Sequence, residues 1–68
     1  MRDKREACLY YGDRPLTSVL VEGATSDEEV IRRALRIHEG MPTLSLNPGE
    51  TPYEFRLKLQ RAHVRYFD

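Results

Sequence analysis

Between Leu16 and Glu22 every second residue, Thr17, Val19 and Val21, falls on one face of an extended segment. A period of two predicts a strand. Gly12-Asp13-Arg14-Pro15 before it is a turn, because glycine reaches unusual dihedrals and proline lacks the N–H a strand interior needs. Ala7–Tyr11 reads as a first strand, so the two are expected to pair as an antiparallel hairpin. After Gly23 the period changes. Val30, Ile31, Ala34, Leu35 and Ile37 gather on one side of a helix with His38 among them, and Arg32, Arg33 and Arg36 lie on the other. Ser26 is the expected N-cap, with Glu29 placed to complete a capping box. Asp27 and Glu28 suit the positive end of the helix dipole. The helix is expected over about 27–38, ending at Gly40 with Pro42 beyond it.

The last third carries two conflicting signals. Thr51-Pro52-Tyr53-Glu54 is a helix start, with Thr as cap, Pro at the first position and Glu at the third. Yet Tyr53, Phe55, Leu57 and Leu59 alternate with Glu54, Arg56, Lys58 and Gln60 in strict period two, which predicts a strand. Alternation resumes in the opposite phase at Ala62, Val64 and Tyr66, as a bulge near Gln60 or Arg61 would produce. The residues alone leave both readings open.

Length makes the chain one small domain of 68 residues, able to bury only about 60% of its unfolded surface. Residues 1–6 are charged and expected to fray. Eleven basic and eleven acidic residues cancel, against nucleic-acid binding driven by total charge. The one cysteine, Cys8, has no partner for an internal disulfide and reads as a small buried hydrophobe in its strand. With no signal-peptide pattern and no long apolar run, a cytoplasmic protein with no membrane span is expected. His38 and His63 fit no catalytic pairing, no Cys or His spacing fits a metal, and the four glycines form no phosphate loop. Neither an enzyme nor a cofactor is expected.

The run Ala7–Val21, followed by Thr25-Ser-Asp-Glu-Glu-Val-Ile-Arg-Arg-Ala-Leu, is similar to the first half of Ras-association domains. Thr43-Leu-Ser-Leu-Asn and Tyr53-Glu-Phe-Arg-Leu-Lys-Leu-Gln resemble the family's closing pair of strands. The likeness spans residues 7–60, with a much shorter middle than the family has. It implies an α+β fold, the ubiquitin-like β-grasp roll: a hairpin, one crossing helix, a short strand at Thr43–Leu46 and a long closing strand through residues 53–66 beside the first. The core is then expected at Val19, Val21, Val30, Ile31, Ala34, Leu35, Phe55, Leu57 and Leu59.

The resemblance also implies a function: addition of the second strand to the edge of a GTP-bound Ras-family GTPase, with basic side chains meeting its acidic switch region. Here the pairing residues are Leu16, Thr17 and Ser18, and the charges are Arg5, Arg14, Arg32, Arg33 and Arg36. The strand lysine of the family's strong binders is Thr17 in this chain, and a second basic helix position is Ile37. Without any partner, the same arginines follow the helix dipole and allow Glu28–Arg32 and Glu29–Arg33 pairs, each contributing about 0.3–0.5 kcal/mol. A second reading takes Arg56, Lys58, Arg61, Arg65 and Tyr66 as a basic-aromatic strand laid along a nucleic-acid backbone. A third is a homodimer through the exposed edge at Leu16–Glu22, which has little protection beyond Pro15 and Glu22.

Overall fold

The computed structural model describes residues 4–23 and 25–67. Two strands, two helices and a third strand follow in order: β1 (Lys4–Tyr11), β2 (Arg14–Glu22), α1 (Asp27–Gly40), α2 (Pro52–Gln60) and β3 (His63–Phe67). The fold is α+β, with one antiparallel sheet in the order β2-β1-β3. The first strand begins earlier than expected, so Lys4, Arg5 and Glu6 belong to the sheet, and the expected fraying of residues 1–3 lies outside the described residues.

Gly12 and Asp13 form the two-residue hairpin turn, and Gly12 takes φ +62°, which a side chain would strain. Leu9 pairs with Thr17 but Tyr10 pairs with Pro15, so Leu16 is an extra residue in β2. This bulge changes the phase of the strand and turns Leu16 into the core beside Val19 and Val21. On β1 the inward residues are Ala7 and Leu9, both fully buried. Cys8 therefore faces the opposite side of the sheet and is half-buried, not a core residue.

Both helices cover the inner face. On α1, Val30, Ala34 and His38 recur every four residues and are buried, while Ile31 and Leu35 pack at the margin of the core. Ser26 caps as expected, its Oγ accepting from Glu29 N–H at 3.2 Å. The Glu29 carboxylate does not return to the cap; it binds Arg32 and Arg33 instead.

The expected long strand over residues 53–66 is a helix followed by a strand. Thr51 and Glu54 make a reciprocal capping box, and Pro52 occupies the first turn. In this helix Phe55 and Leu59, four residues apart, are buried together against the sheet. Leu57 and Tyr53, which alternation had grouped with them, are 40% and 70% exposed. The cap and one i,i+4 apolar pair outweighed the period of two. The opposite-phase run does form β3, with Ala62, Val64 and Tyr66 turned toward the core. Thr43–Leu46 is not a strand but part of a series of turns after Met41, where Ser45 takes φ 70°.

Leu59→Ala is expected to lower unfolding free energy by about 2–5 kcal/mol, the usual cost of truncating a sealed leucine. Leu57→Ala should cost less than about 1 kcal/mol. Urea denaturation of both variants distinguishes the helix from a strand, in which the two losses would be alike.

Candidate functional site

Strand β1 lies between its neighbours, so β2 and β3 are the edges of the sheet. β2 is nine residues long and β3 five. Along β2, Leu20 points away from the helices and is 72% exposed. Near the far end of the strand a surface depression is lined by Lys4, Leu20, Val21, Glu22 and Arg33, which brings a basic residue of α1 beside the edge. Arg33 Nε donates to Glu29 Oε2 at 3.2 Å, and Arg32 donates to the other oxygen of the same carboxylate. Of the two pairs expected on this helix, Glu29–Arg33 is present; Arg32 turns to Glu29 and not to Glu28. Two guanidinium groups thus share one carboxylate, and Arg36 is exposed on the same helix, while Lys4 and Glu22 line the depression with Arg33.

At Thr17 the edge borders a cleft walled by Ile37, His38, Met41, Leu44 and Phe55. Ile37, Met41 and Leu44 are each about half exposed there. Inside, His38 stacks at a tilt on Phe55, with 5.3 Å between centroids, and its Nε2 lies 3.2 Å from the Pro52 carbonyl oxygen. Its Nδ1 is shut off from solvent and has no partner among the described residues.

Arg14 does not stand free beside the edge. Its guanidinium grips Glu50 through two bonds of 2.8 and 2.9 Å, donates to the Ser45 carbonyl, and lies over the Phe55 ring. Glu50 also accepts from Lys58 Nζ and from Asn47 N–H. These donors, Arg14 first, hold the Glu50 carboxyl far below the usual carboxylate range. Arg5 lies in β1, with its guanidinium over the Tyr66 ring of β3. Of the proposed partner-binding residues, the structure keeps Leu16, Thr17 and Ser18 on the open edge strand and Arg32, Arg33 and Arg36 on the flanking helix; Arg14 is a structural cation.

The basic-aromatic set is broken up. Arg56, Lys58 and Arg61 belong to α2 and its C-cap, Lys58 is held by Glu50, and only Arg65 and Tyr66 are in β3. Tyr66 faces inward, its hydroxyl donating to Asp27 Oδ1 at 2.8 Å and lying 3.2 Å from the Thr25 carbonyl. Burial and then the Asp27 bond raise its pKa. What the sequence did not reveal is the row on the outer face, where Arg65 lies over both Tyr10 and Phe67 and Tyr10 stacks on His63. These residues come from two strands whose register only the fold supplies. Burial and the neighbouring Glu6 push the Cys8 thiol up, away from thiolate chemistry. Among the described residues no group of three His, Cys, Asp or Glu side chains could hold a metal ion, and no helix is long and apolar enough to cross a membrane.

The chain matches no protein-family model, no curated protein and no solved structure.

Because Glu50 is more acidic folded than unfolded, its contribution is complete above the unfolded carboxylate pKa of about 4.3 and is lost as pH falls through the lowered folded value. Glu50→Gln should therefore destabilise the protein at pH 7 by an amount unchanged down to about pH 5, and the gap to wild type should narrow below about pH 4. Denaturant midpoints across this range check it.

Proposed function

We propose that this chain is a non-catalytic protein-interaction module that takes an extended segment of its partner onto β2. The observation that carries the reading is the open edge of β2, long enough for a partner strand, with Arg33 of α1 beside its far end. Backbone pairing supplies affinity in such a complex, and Arg33 beside the edge contributes charge steering. The resemblance to Ras-association domains names the partner class: a Ras-family GTPase in its GTP-bound state. A hairpin crossed by a helix, with the chain's last strand beside β1, is what this structure has in common with the ubiquitin-like reading; β3 runs antiparallel to β1, and α2 stands where the first part of the long closing strand was expected. A cytoplasmic signalling setting goes with that class.

Edge pairing between two copies is the competing use of the same strand. Gel filtration at two protein concentrations separates it from binding to a foreign strand.

The direct test is an amide NMR titration of the labelled chain with a Ras-family GTPase loaded with a GTP analogue or GDP. Shifts along Leu16–Glu22 and at the α1 arginines, seen only with the GTP analogue, are expected. A spectrum indifferent to both states removes the GTPase from the proposal. Arg33→Glu should slow association severalfold, more so at low salt, while moving the unfolding midpoint little, since Arg33 is a partly exposed surface pair. Unchanged association kinetics would count against the charged flank.

A further inference from the structure

A strand that pairs with β2 meets both faces of the sheet at once, because successive residues of β2 point to opposite sides. Thr17, Val19 and Val21 turn toward the helices, and Ser18, Leu20 and Glu22 turn away from them. The window for regular pairing is short. At one end Pro15 has no N–H to give and Leu16 is the bulge; at the other the Glu22 carbonyl accepts from the Thr25 hydroxyl at 3.3 Å. Between them lies Thr17–Val21. Among the described residues, the backbone bonds of the segment after α1 close its own turns, from Leu44 N–H to the Met41 carbonyl and from Glu50 N–H to the Asn47 carbonyl, and none reaches β2.

Apolar surface is concentrated along this window. Leu20, Ile37, Met41, Leu44 and Leu57 are the large non-aromatic apolar side chains left exposed among the described residues, and all but Leu57 border β2. They do so on both faces. Ile37, Met41 and Leu44 surround Thr17 on the helix side, where the cleft runs in to the core at Phe55 and Leu59. Leu20 stands on the outer face.

Residues directly opposite one another in paired strands share a face and touch. The partner residue opposite Thr17 therefore meets Ile37, Met41 and Leu44, and the one opposite Leu20 meets Leu20. A charged side chain at the first position would lose its water against three apolar groups, and a small one would leave them wet. The cleft offers about 20 Å³, room for the tip of a side chain whose remainder lies on the rim. That describes a branched aliphatic residue, and an aliphatic residue likewise covers Leu20. Thr17 and Leu20 are three positions apart, and one-to-one pairing carries that spacing to the partner in either strand direction.

Resting on the strand-addition reading, we infer that the partner segment carries two aliphatic residues three positions apart, one turned to each face of the extended sheet, opposite Thr17 and Leu20. An ordinary amphipathic strand repeats its apolar residues every second position on one face. The spacing of three makes β2 select a register as well as a composition.

The test uses the 68-residue chain and three nine-residue peptides of threonine with a lysine at each end. One has two leucines three positions apart, one has them two apart, and one has none. Amide shifts over Thr17–Val21 report strand addition. Methyl shifts of Leu20, and of Ile37, Met41 and Leu44, report the two contacts. The first peptide should bind about tenfold tighter than the second, as covering one further leucine implies, and should move both sets of methyls. Leu20→Thr, at an exposed position, should erase that difference while the amides still respond. If the two leucine peptides bind alike while the amides respond, strand addition stands and the spacing rule falls. Methyl shifts without amide shifts would mean that the apolar surface takes something other than a strand, which overturns the inference. Shifts that grow with protein concentration in the absence of peptide would make a second copy the occupant, and overturn it also. If no peptide moves the amides, the strand-addition reading fails and this inference falls with it.

Discussion

The carboxylate of Glu50 is the constraint on which the assembly depends. Its side chain is only 6% exposed, yet it is ionised, so it must be matched by cations at short range. Arg14 comes from the start of β2 and Lys58 from the last turn of α2, and both bind it. One group therefore ties the sheet, the second helix and the connection between the helices. The guanidinium that completes the pair also covers Phe55, so the polar lock and the apolar core are parts of one contact. Removing Arg14 leaves the buried Glu50 carboxylate with a single cation, Lys58, which costs more than the pair contributes in place. Arg14 therefore serves the fold through Glu50 and Phe55 together.

The hairpin and the first helix were legible because every local signal agreed. Turn chemistry, alternation, the Ser26 cap and the four-residue spacing of Val30, Ala34 and His38 all point to one answer. At residues 52–60 two local signals disagreed, and alternation was the weaker. A nine-residue helix on a small core needs only one buried pair, and Phe55 with Leu59 meets that need whatever Leu57 and Tyr53 do. The alternating pattern counted apolar residues that the fold leaves in solvent. Leu16 was missed as core for a related reason: the bulge that turns it inward is a property of pairing with β1, invisible in β2 by itself.

The candidate site was legible in outline and not in its charges. Which strand would be an edge follows from the hairpin and from a closing strand beside β1, and both were anticipated. Ion pairing between distant residues was not, since nothing near Arg14 in sequence indicates Glu50, thirty-six residues away. His38 shows the same limit. Its place on the apolar side of α1 could be read from the period, but the engagement of Nε2 by the Pro52 carbonyl and the cleft wall at Met41 and Leu44 depend on the chain that follows.

The two edges of the sheet differ in what each presents. β3 is five residues long, and a short edge is itself a common protection against pairing. Its outer side chains are already engaged: Arg65 is held between Tyr10 and Phe67, and His63 is stacked on Tyr10, so that face is stiffened by its own contacts. β2 has length, an apolar residue in Leu20 left to solvent, and guards at its ends in Pro15 and in Glu22, which lies 3.8 Å from Lys4. Guards at the ends and openness between them favour a strand of limited length in a set register. An unguarded edge would invite indiscriminate pairing, and a fully guarded one would bind nothing. Along β2, Arg33 lies beside one end and the His38 cleft beside the other, so the two ends of this edge present different chemistry.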